Sequence, residues 1–423
     1  MVYLLFIFYS VLFCWLITRI KFFNASGLSN RVLIFLFIIR IFSLLAGSYI
    51  NLYILPVSDS VVFHNMGVVE FNLLFHNPHE YLANLFHNPY VNGYSRILDD
   101  YHSFWNNIRS ILIAKMLSVF DIFSLKNFWI NTLFFNFLIF FGCVALYKVF
   151  INLFPKCYYP LIFIIFLLPS ALFFSAMIHR DGLIFLSISM IVYHLYFLLN
   201  YRSFSKKRIL IISLFLILIF LLRNFVFIAL ISALVAWIIA HKFTKRAFLS
   251  FVVIYLIAGI LFFCSGLISS KTDLPKYMSE RQKSFIEVGK LANSNVPLQT
   301  LSPNFKSFII NAPQALNHAL MRPYLSKIKN WQFAPFAVEI LFFEILFLLF
   351  IFFHKKKMVI NPVIYFCLFL GFSMMMMIGY TVPIIGSIVR YRSIYLIFLL
   401  IPIIGYMDWE KILNLFKNQR IHA

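Results

Sequence analysis

The chain has 423 residues, 62% of them hydrophobic and only 12% charged, with a mean hydropathy of +0.91. Soluble domains carry roughly 25% charged residues, so this composition excludes a water-soluble globular protein. The net charge of +22 does not mark a nucleic-acid binder, because most basic residues fall in short loops between apolar runs and no basic face with interleaved aromatics stands apart.

The apolar runs reach 17 residues and more, the length that crosses about 30 Å of hydrocarbon, where a chain segment satisfies its backbone as a helix. The first run, 2–18, has no basic residue ahead of it and is followed by Arg19, Lys21 and Arg31. A cleavable signal would carry its charge first. The run therefore reads as an uncleaved helix with its N-terminus outside. A second helix, 32–53, leads outward, and residues 1–53 hold these two spans.

Residues 54–126 form a first large outer loop with Asp59, Glu70, Glu80, Asp99, Asp100 and Asp121 against four basic residues. Within it, 104–120 is amphipathic: Phe104, Ile108, Ile111, Leu112 and Met116 share one face, with Asn107, Arg109 and Ser110 elsewhere. The pattern suits a helix lying in the membrane interface, or an ordinary packed helix. The string FHNP occurs at 75–78 and 86–89, a repeated turn or a coincidence of composition.

Further spans are expected at 127–150, 158–178, 182–200, 209–222, 225–240 and 247–268, which make up the segment 127–268, and at 337–353, 359–379 and 388–406, within 337–406. A second large outer loop, 269–336, lies between these groups, and a tail, 407–423, follows them. One alternating assignment puts the basic groups Arg202/Lys206/Lys207/Arg208, Lys242/Lys245/Arg246, Lys355–Lys357 and Lys411/Lys417/Arg420 all inside. The expected fold is thus an all-α polytopic membrane protein of about eleven transmembrane helices, its two outer loops bearing short interfacial helices. Loop 269–336 carries nine basic residues on the outside; long loops are exempt from the charge rule.

Five polar constellations map to the outer ends of spans. In SDSVVFHNMG, 58–67, Asp59 is a candidate general base with His64 five residues on; a helix N-cap explains the same acid. In LPSALFFSAMIHRDGLIF, 168–185, Pro169 bends a span and His179, Arg180 and Asp181 set an imidazole, a cation and an acid at a hairpin tip. Arg223-Asn224 sits in an almost loopless turn, where the guanidinium grips phosphate or snorkels. In GSIVRYRS, 386–393, Arg390 and Arg392 flank Tyr391 and favour a phosphate or pyrophosphate. Glu339 and Glu344 lie inside a span, and an acid in hydrocarbon needs a partner; Arg40 is the candidate for Glu344.

His64, His76, His79, His87 and His102 have no metal-ligand spacing, and no nucleotide-binding or hydrolase motif is present. No cofactor is indicated; a divalent cation lacks sequence support. The five cysteines show no disulfide spacing and read as small core residues.

This layout resembles the GT-C superfamily of membrane glycosyltransferases. Asp59 matches the acid just past a membrane helix, Phe63 stands where a Tyr often occurs, Pro169 with Arg180-Asp181 matches the bent span with a charged tip, and Arg390-Tyr391-Arg392 matches a late arginine turn. An extra helix precedes the loop bearing Asp59, a layout equally similar to the polysaccharide-polymerase families of the bacterial envelope.

The resemblance implies a bacterial inner-membrane enzyme that takes a sugar from a polyprenyl-phosphate-linked donor to a glycan, lipid or protein acceptor on the outer face, with its C-terminus inside. Asp59 would be the base, with Asp181 or His179 orienting the acceptor or replacing it. Arg390, Arg392, Arg223 and Arg180 would hold the phosphate. His64, Tyr391 and Glu339 would serve the acceptor or the framework. A polymerase or ligase of lipid-linked polysaccharide, and a transporter or flippase of a lipid-linked glycan, are the alternatives.

Overall fold

The structure is a computed structural model. It describes residues 2–55, 58–95, 97, 102–201, 205–269, 272–290, 292, 294–327, 331–356, 359–412 and 414. Pro56, Asp99, Asp100, Arg202, Lys357, Lys417 and Arg420 lie outside the described residues.

Among the described residues, all extended secondary structure is helical, with two isolated backbone bridges and no strand. The α-helices run α1 Val2–Arg19, α2 Lys21–Asn24, α3 Asn30–Tyr49, α4 Asp59–His76, α5 Pro78–Ala83, α6 Phe104–Ser124, α7 Phe128–Leu153, α8 Tyr158–Ile162 and α9 Pro169–Ala176. They continue as α10 Arg180–Asn200, α11 Lys206–Leu222, α12 Asn224–Lys242, α13 Ala247–Ile268, α14 Leu274–Lys290, α15 Phe305–Met321, α16 Ala334–Phe352, α17 Pro362–Thr381 and α18 Ile385–Tyr406. Several starts are written locally. The Asn127 side chain accepts from the amides of Trp129 and Ile130 to open α7, and Asn361 with Pro362 opens α17.

The chain is a multi-pass membrane protein. Nine of the described helices are long and apolar enough to cross a bilayer, and ten if one bent pair counts as a single span. The nine do not include α11, which has 17 residues and opens on Lys206-Lys207-Arg208, so the expected count of eleven is not confirmed. The bent pair is the span expected over 158–178. It turns by 43° where Leu168 leaves helical geometry ahead of Pro169, as the ring of a proline demands of the residue before it.

α18 is the central helix, with every residue from Arg392 to Tyr406 buried. α1 and α13 are the rim: α1 buries only Ile17, and α13 only Ala247, Phe251 and Ser265. Close approach replaces side-chain bulk where helices cross. A Cβ on Gly142 of α7 would meet the α10 backbone at Leu186 at 2.9 Å, and one on Gly379 of α17 would lie 1.9 Å from the Ala315 carbonyl oxygen of α15.

The segments expected as loops are built from substantial helices. α4 and α6 pack along one another, with Gly67 set against Leu117. The buried face of α6 is Phe104, Ile108, Arg109, Ile113, Leu117 and Asp121, not the face through Ile111, Leu112 and Met116. The face rotates because α4 and α7 cover its polar side. Asn131 of α7 donates to Asp121 at 2.6 Å and its amide nitrogen lies 3.2 Å from His64 Nδ1. Burial lowers His64 to a pKa of about 4 and raises the Asp121 carboxyl. The first FHNP closes α4 and caps α5 through Asn77; the second lies in an irregular connection.

α14 and α15 are fastened to the α17–α18 junction. The Gln282 amide donates to the carbonyls of Gln299 and Tyr380, and the Val296 amide donates to the Pro383 carbonyl at 2.7 Å. The opposite end of the bundle holds the His354–Met407 bridge and the exposed Lys156–Glu410 pair at 2.9 Å.

Arg40 is not paired with Glu344. It is buried and donates to Asn136 Oδ1 at 2.8 Å and to the carbonyl and hydroxyl of Ser175. Neutral oxygens of α7 and α9 satisfy it without a second buried charge, which is how a lone guanidinium survives between helices. Glu344 lies instead at the edge of an apolar recess of about 570 Å³ between α16, α17 and α18.

Candidate functional site

Four helix starts converge at one end of the bundle. Asp59 is the first residue of α4, and Arg180 and Asp181 are the first two of α10, with His179 as its N-cap. Arg223 is the N-cap of α12, and Arg390 and Tyr391 lie in the second turn of α18. Helix starts carry partial positive charge, which favours the acids here and any anion brought to them.

Asp59 and Asp181 are joined through one guanidinium. Arg390 Nη1 donates to Asp59 Oδ2 at 2.8 Å, and its Nε lies 3.5 Å from Asp181 Oδ2. Arg223 Nη2 reaches Asp181 Oδ1 at 2.9 Å. The two carboxylates differ in access: the Asp181 side chain is 4% exposed, that of Asp59 53%. Asp181 is therefore the buried anchor and Asp59 the acid that incoming solute meets. Partial burial acts to raise the Asp59 carboxyl, but Arg390, with His179 and Arg180 adding, holds it below the usual range.

His179 is buried, with Nε2 3.4 Å from the Ser60 hydroxyl. Burial first, then the charge of Arg390, brings it to about 4 against the pull of Asp181 and Asp59. It is neutral at physiological pH.

Beside this network opens a cavity of about 250 Å³ walled by Arg109, Arg180, Arg223 and Arg281, with Asn106, Ser284, Phe225, Phe285, Val288 and Tyr391 completing it. No carboxylate is among the described residues that line it. The guanidinium groups are held by aromatic faces and hydroxyls: Arg223 lies 4.4 Å from the Tyr391 ring centre, Arg281 4.3 Å from that of Phe225, and Arg180 5.1 Å from that of Phe63. Arg180 Nη2 also donates to the Ser110 hydroxyl at 2.8 Å. Stacking on aromatic faces fixes the planes of these guanidinium groups. The 570 Å³ recess is larger but apolar, and it shares no lining residue with this cavity.

The expected site residues divide accordingly. Asp59, His179, Arg180, Asp181, Arg223, Arg390 and Tyr391 are brought together. Arg392 is not: it is fully buried and donates to the carbonyls of Ala319 and Arg322, fixing the end of α15. Arg390 and Arg392 are two residues apart on a helix, so they point about 200° apart. Glu339 accepts from the amide and hydroxyl of Ser170, both at 2.6 Å, and so caps α9 after its break. His64 belongs to the buried Asn131–Asp121 group.

Sequence reasoning missed Arg109 and Arg281. Arg109 is placed by the sequence only off the apolar face of 104–120, and Arg281 is one cation among nine in a lysine-rich segment. The available signal was its identity, an arginine among lysines, the residue suited to forked recognition of oxyanions. Among the described residues, no three His, Cys, Asp or Glu side chains are grouped to hold a metal ion. Comparison with family models, curated proteins and solved structures finds no match to this chain.

Proposed function

We propose that the chain is a membrane glycosyltransferase of GT-C type, which moves a sugar from a polyprenyl-phosphate-linked donor to an acceptor hydroxyl at the outer face of the bacterial inner membrane. The observation that carries this reading is the Asp59–Arg390–Asp181–Arg223 network, which links an accessible carboxylate to an arginine-walled cavity at the ends of the spans.

The chemistry follows from the placement. The donor phosphate sits among Arg180, Arg223 and the arginines opposite. The acceptor oxygen attacks the anomeric carbon, the bond from that carbon to the phosphate oxygen breaks, and the electron pair leaves with the phosphate. The guanidinium groups and helix starts stabilise that charge. Asp59 receives the acceptor's proton, and the product is inverted at the anomeric carbon. Asp181 and His179 position the arginine network and the start of α10.

The test uses the full chain in membrane vesicles supplied with a radiolabelled polyprenyl-phosphate sugar. Wild type should yield labelled acceptor, and Asp59→Asn should insert normally yet lose transfer. Wild-type turnover by Asp59→Asn would reject the role of this acid.

A further inference from the structure

The end of the bundle away from the Asp59 network carries a second group of cations. α10 begins at Arg180, and its 21 residues carry the chain about 30 Å to Asn200. Near that far end, Tyr193 and Phe197 stand one turn apart with ring centres 4.9 Å from each other. Lys148 of α7 lies 5.1 Å from the Tyr193 ring centre and donates to the Phe22 carbonyl at 3.3 Å. Arg208 of α11 lies 5.6 Å from the Phe197 ring centre, and its Nη1 is buried without a hydrogen-bond partner. Arg208, Lys207 and Lys148 are the charges that act on the His194 ring, so all three lie around one stretch of α10.

The elements around these cations supply no acid. Residues 1–58 hold no Asp or Glu, and between 122 and 272 Asp181 is the only one, at the other end of α10. Elsewhere at this end of the bundle, Asp408 and Glu410 are paired with Lys411 and Lys156. Snorkelling into bulk water accounts for lone exposed lysines. It does not account for a buried guanidinium donor left unpaired beside two further cations. The surroundings indicate the kind of anion that fits. Lys148 lies five residues, about 8 Å, inside the end of α7, and Arg208 is followed at once by the exposed Ile209 and Leu210. The cations border apolar surface at the ends of spans, where phosphate headgroups lie.

We propose that Lys148, Lys207 and Arg208 form a headgroup site for an anionic bilayer lipid. The three cations take its phosphate at the far end of α10, and its hydrocarbon chains lie along Ile209 and Leu210 of α11. The site shares no residue with the arginine-walled cavity and lies at the opposite end of α10. It therefore goes beyond the proposed function and does not depend on it. Its role is to fasten α7, α10 and α11 to the leaflet opposite the cavity.

Native mass spectrometry of the detergent-purified full chain tests the assignment. The chain is offered equal amounts of dioleoylphosphatidylglycerol and dioleoylphosphatidylcholine, which share their acyl chains and differ in net charge. Wild type should retain the anionic lipid at least about fivefold over the neutral one. Lys148→Gln, Lys207→Gln and Arg208→Gln should each lower that preference by up to about fivefold, the change expected for one cation near a lipid surface. Lys207 is exposed, so Lys207→Gln decides the matter even where the less exposed positions do not fold. Lys411→Gln, at a lysine paired with Asp408 at the same end, should leave the preference unchanged. Inorganic phosphate should not displace the lipid.

Equal retention of the two lipids by wild type overturns the proposal. So does a preference that Lys207→Gln keeps at wild-type strength, or one that Lys411→Gln lowers as much as Lys207→Gln does. Displacement of the anionic lipid by inorganic phosphate leaves a free-anion site and overturns the lipid assignment.

Discussion

Arg390 holds the half-exposed Asp59 at 2.8 Å while its Nε lies 3.5 Å from the buried Asp181. The same guanidinium thus faces one acid in solvent and one in the protein interior, and the two acids should respond differently to substitution. Asp59→Asn loses an exposed pair and should cost less than about 1 kcal/mol of stability, while transfer falls about 10²–10⁴-fold. Asp181→Asn leaves Arg223 and Arg390 without their buried anion and should cost roughly 3–5 kcal/mol. Thermal unfolding in detergent beside a transfer assay separates the two outcomes.

Arg392 and Arg223 offer a second contrast. Arg392→Gln removes donors from two backbone carbonyls at the end of α15 and should lower the melting temperature with little change in KM for the donor. Arg223→Gln should raise that KM, because Arg223 lines the cavity. A KM increase for Arg392→Gln equal to that for Arg223→Gln would contradict the division made between them.

Acid should act on stability before it acts on the base. His64 and His179 have pKa values of about 4 against an ordinary 6.5, so the unfolded chain takes up their protons first. Stability therefore rises with pH from about 4 to 6.5 and is lost as pH falls through that window. For His64 alone the full window is worth on the order of 3 kcal/mol, and His64→Gln should flatten the dependence of melting temperature on pH. Asp59, held below its usual range by Arg390, stays ionised throughout that window. Transfer per folded molecule should then be level from about pH 8 down to about pH 5.

Gly379 sets how closely α15 lies on α17. A side chain there would begin 1.9 Å from the Ala315 carbonyl oxygen, so α15 must move. Gly379→Val should cost roughly 1–3 kcal/mol by overpacking and increase proteolysis within 269–336, as read by limited digestion of the detergent-solubilised protein.

The membrane character of the fold was legible because hydrocarbon thickness imposes a length on apolar runs, as in α7 and α17. The bend at Pro169 was legible from proline geometry. The packing of α4 on α6 was not, because Gly67, Asn131 and Asp121 decide which face of α6 is buried, and those contacts span distant parts of the chain. Asp59, Arg180, Asp181, Arg223 and Arg390 stood out because each is a charge at the end of an apolar run. Arg392 stood out for the same reason, but it and Arg390 both fall within the span expected over 388–406. In a helix, one of the two arginines must face the core. Arg281 carried too little local signal, since its position depends on Gln282 fastening α14 to the α17 end through Tyr380.

The central claim is that the cavity holds an anionic lipid-linked sugar while Asp59 takes the acceptor's proton. A single-turnover experiment on the purified full chain, preloaded with labelled donor and then given acceptor, follows bound donor and transferred sugar together. Wild type should consume bound donor as product appears. Asp59→Asn should bind the donor and hold it unconsumed, and Arg223→Gln should fail to bind it. Donor consumed by Asp59→Asn at the wild-type rate, or bound by Arg223→Gln with undiminished affinity, would contradict the account.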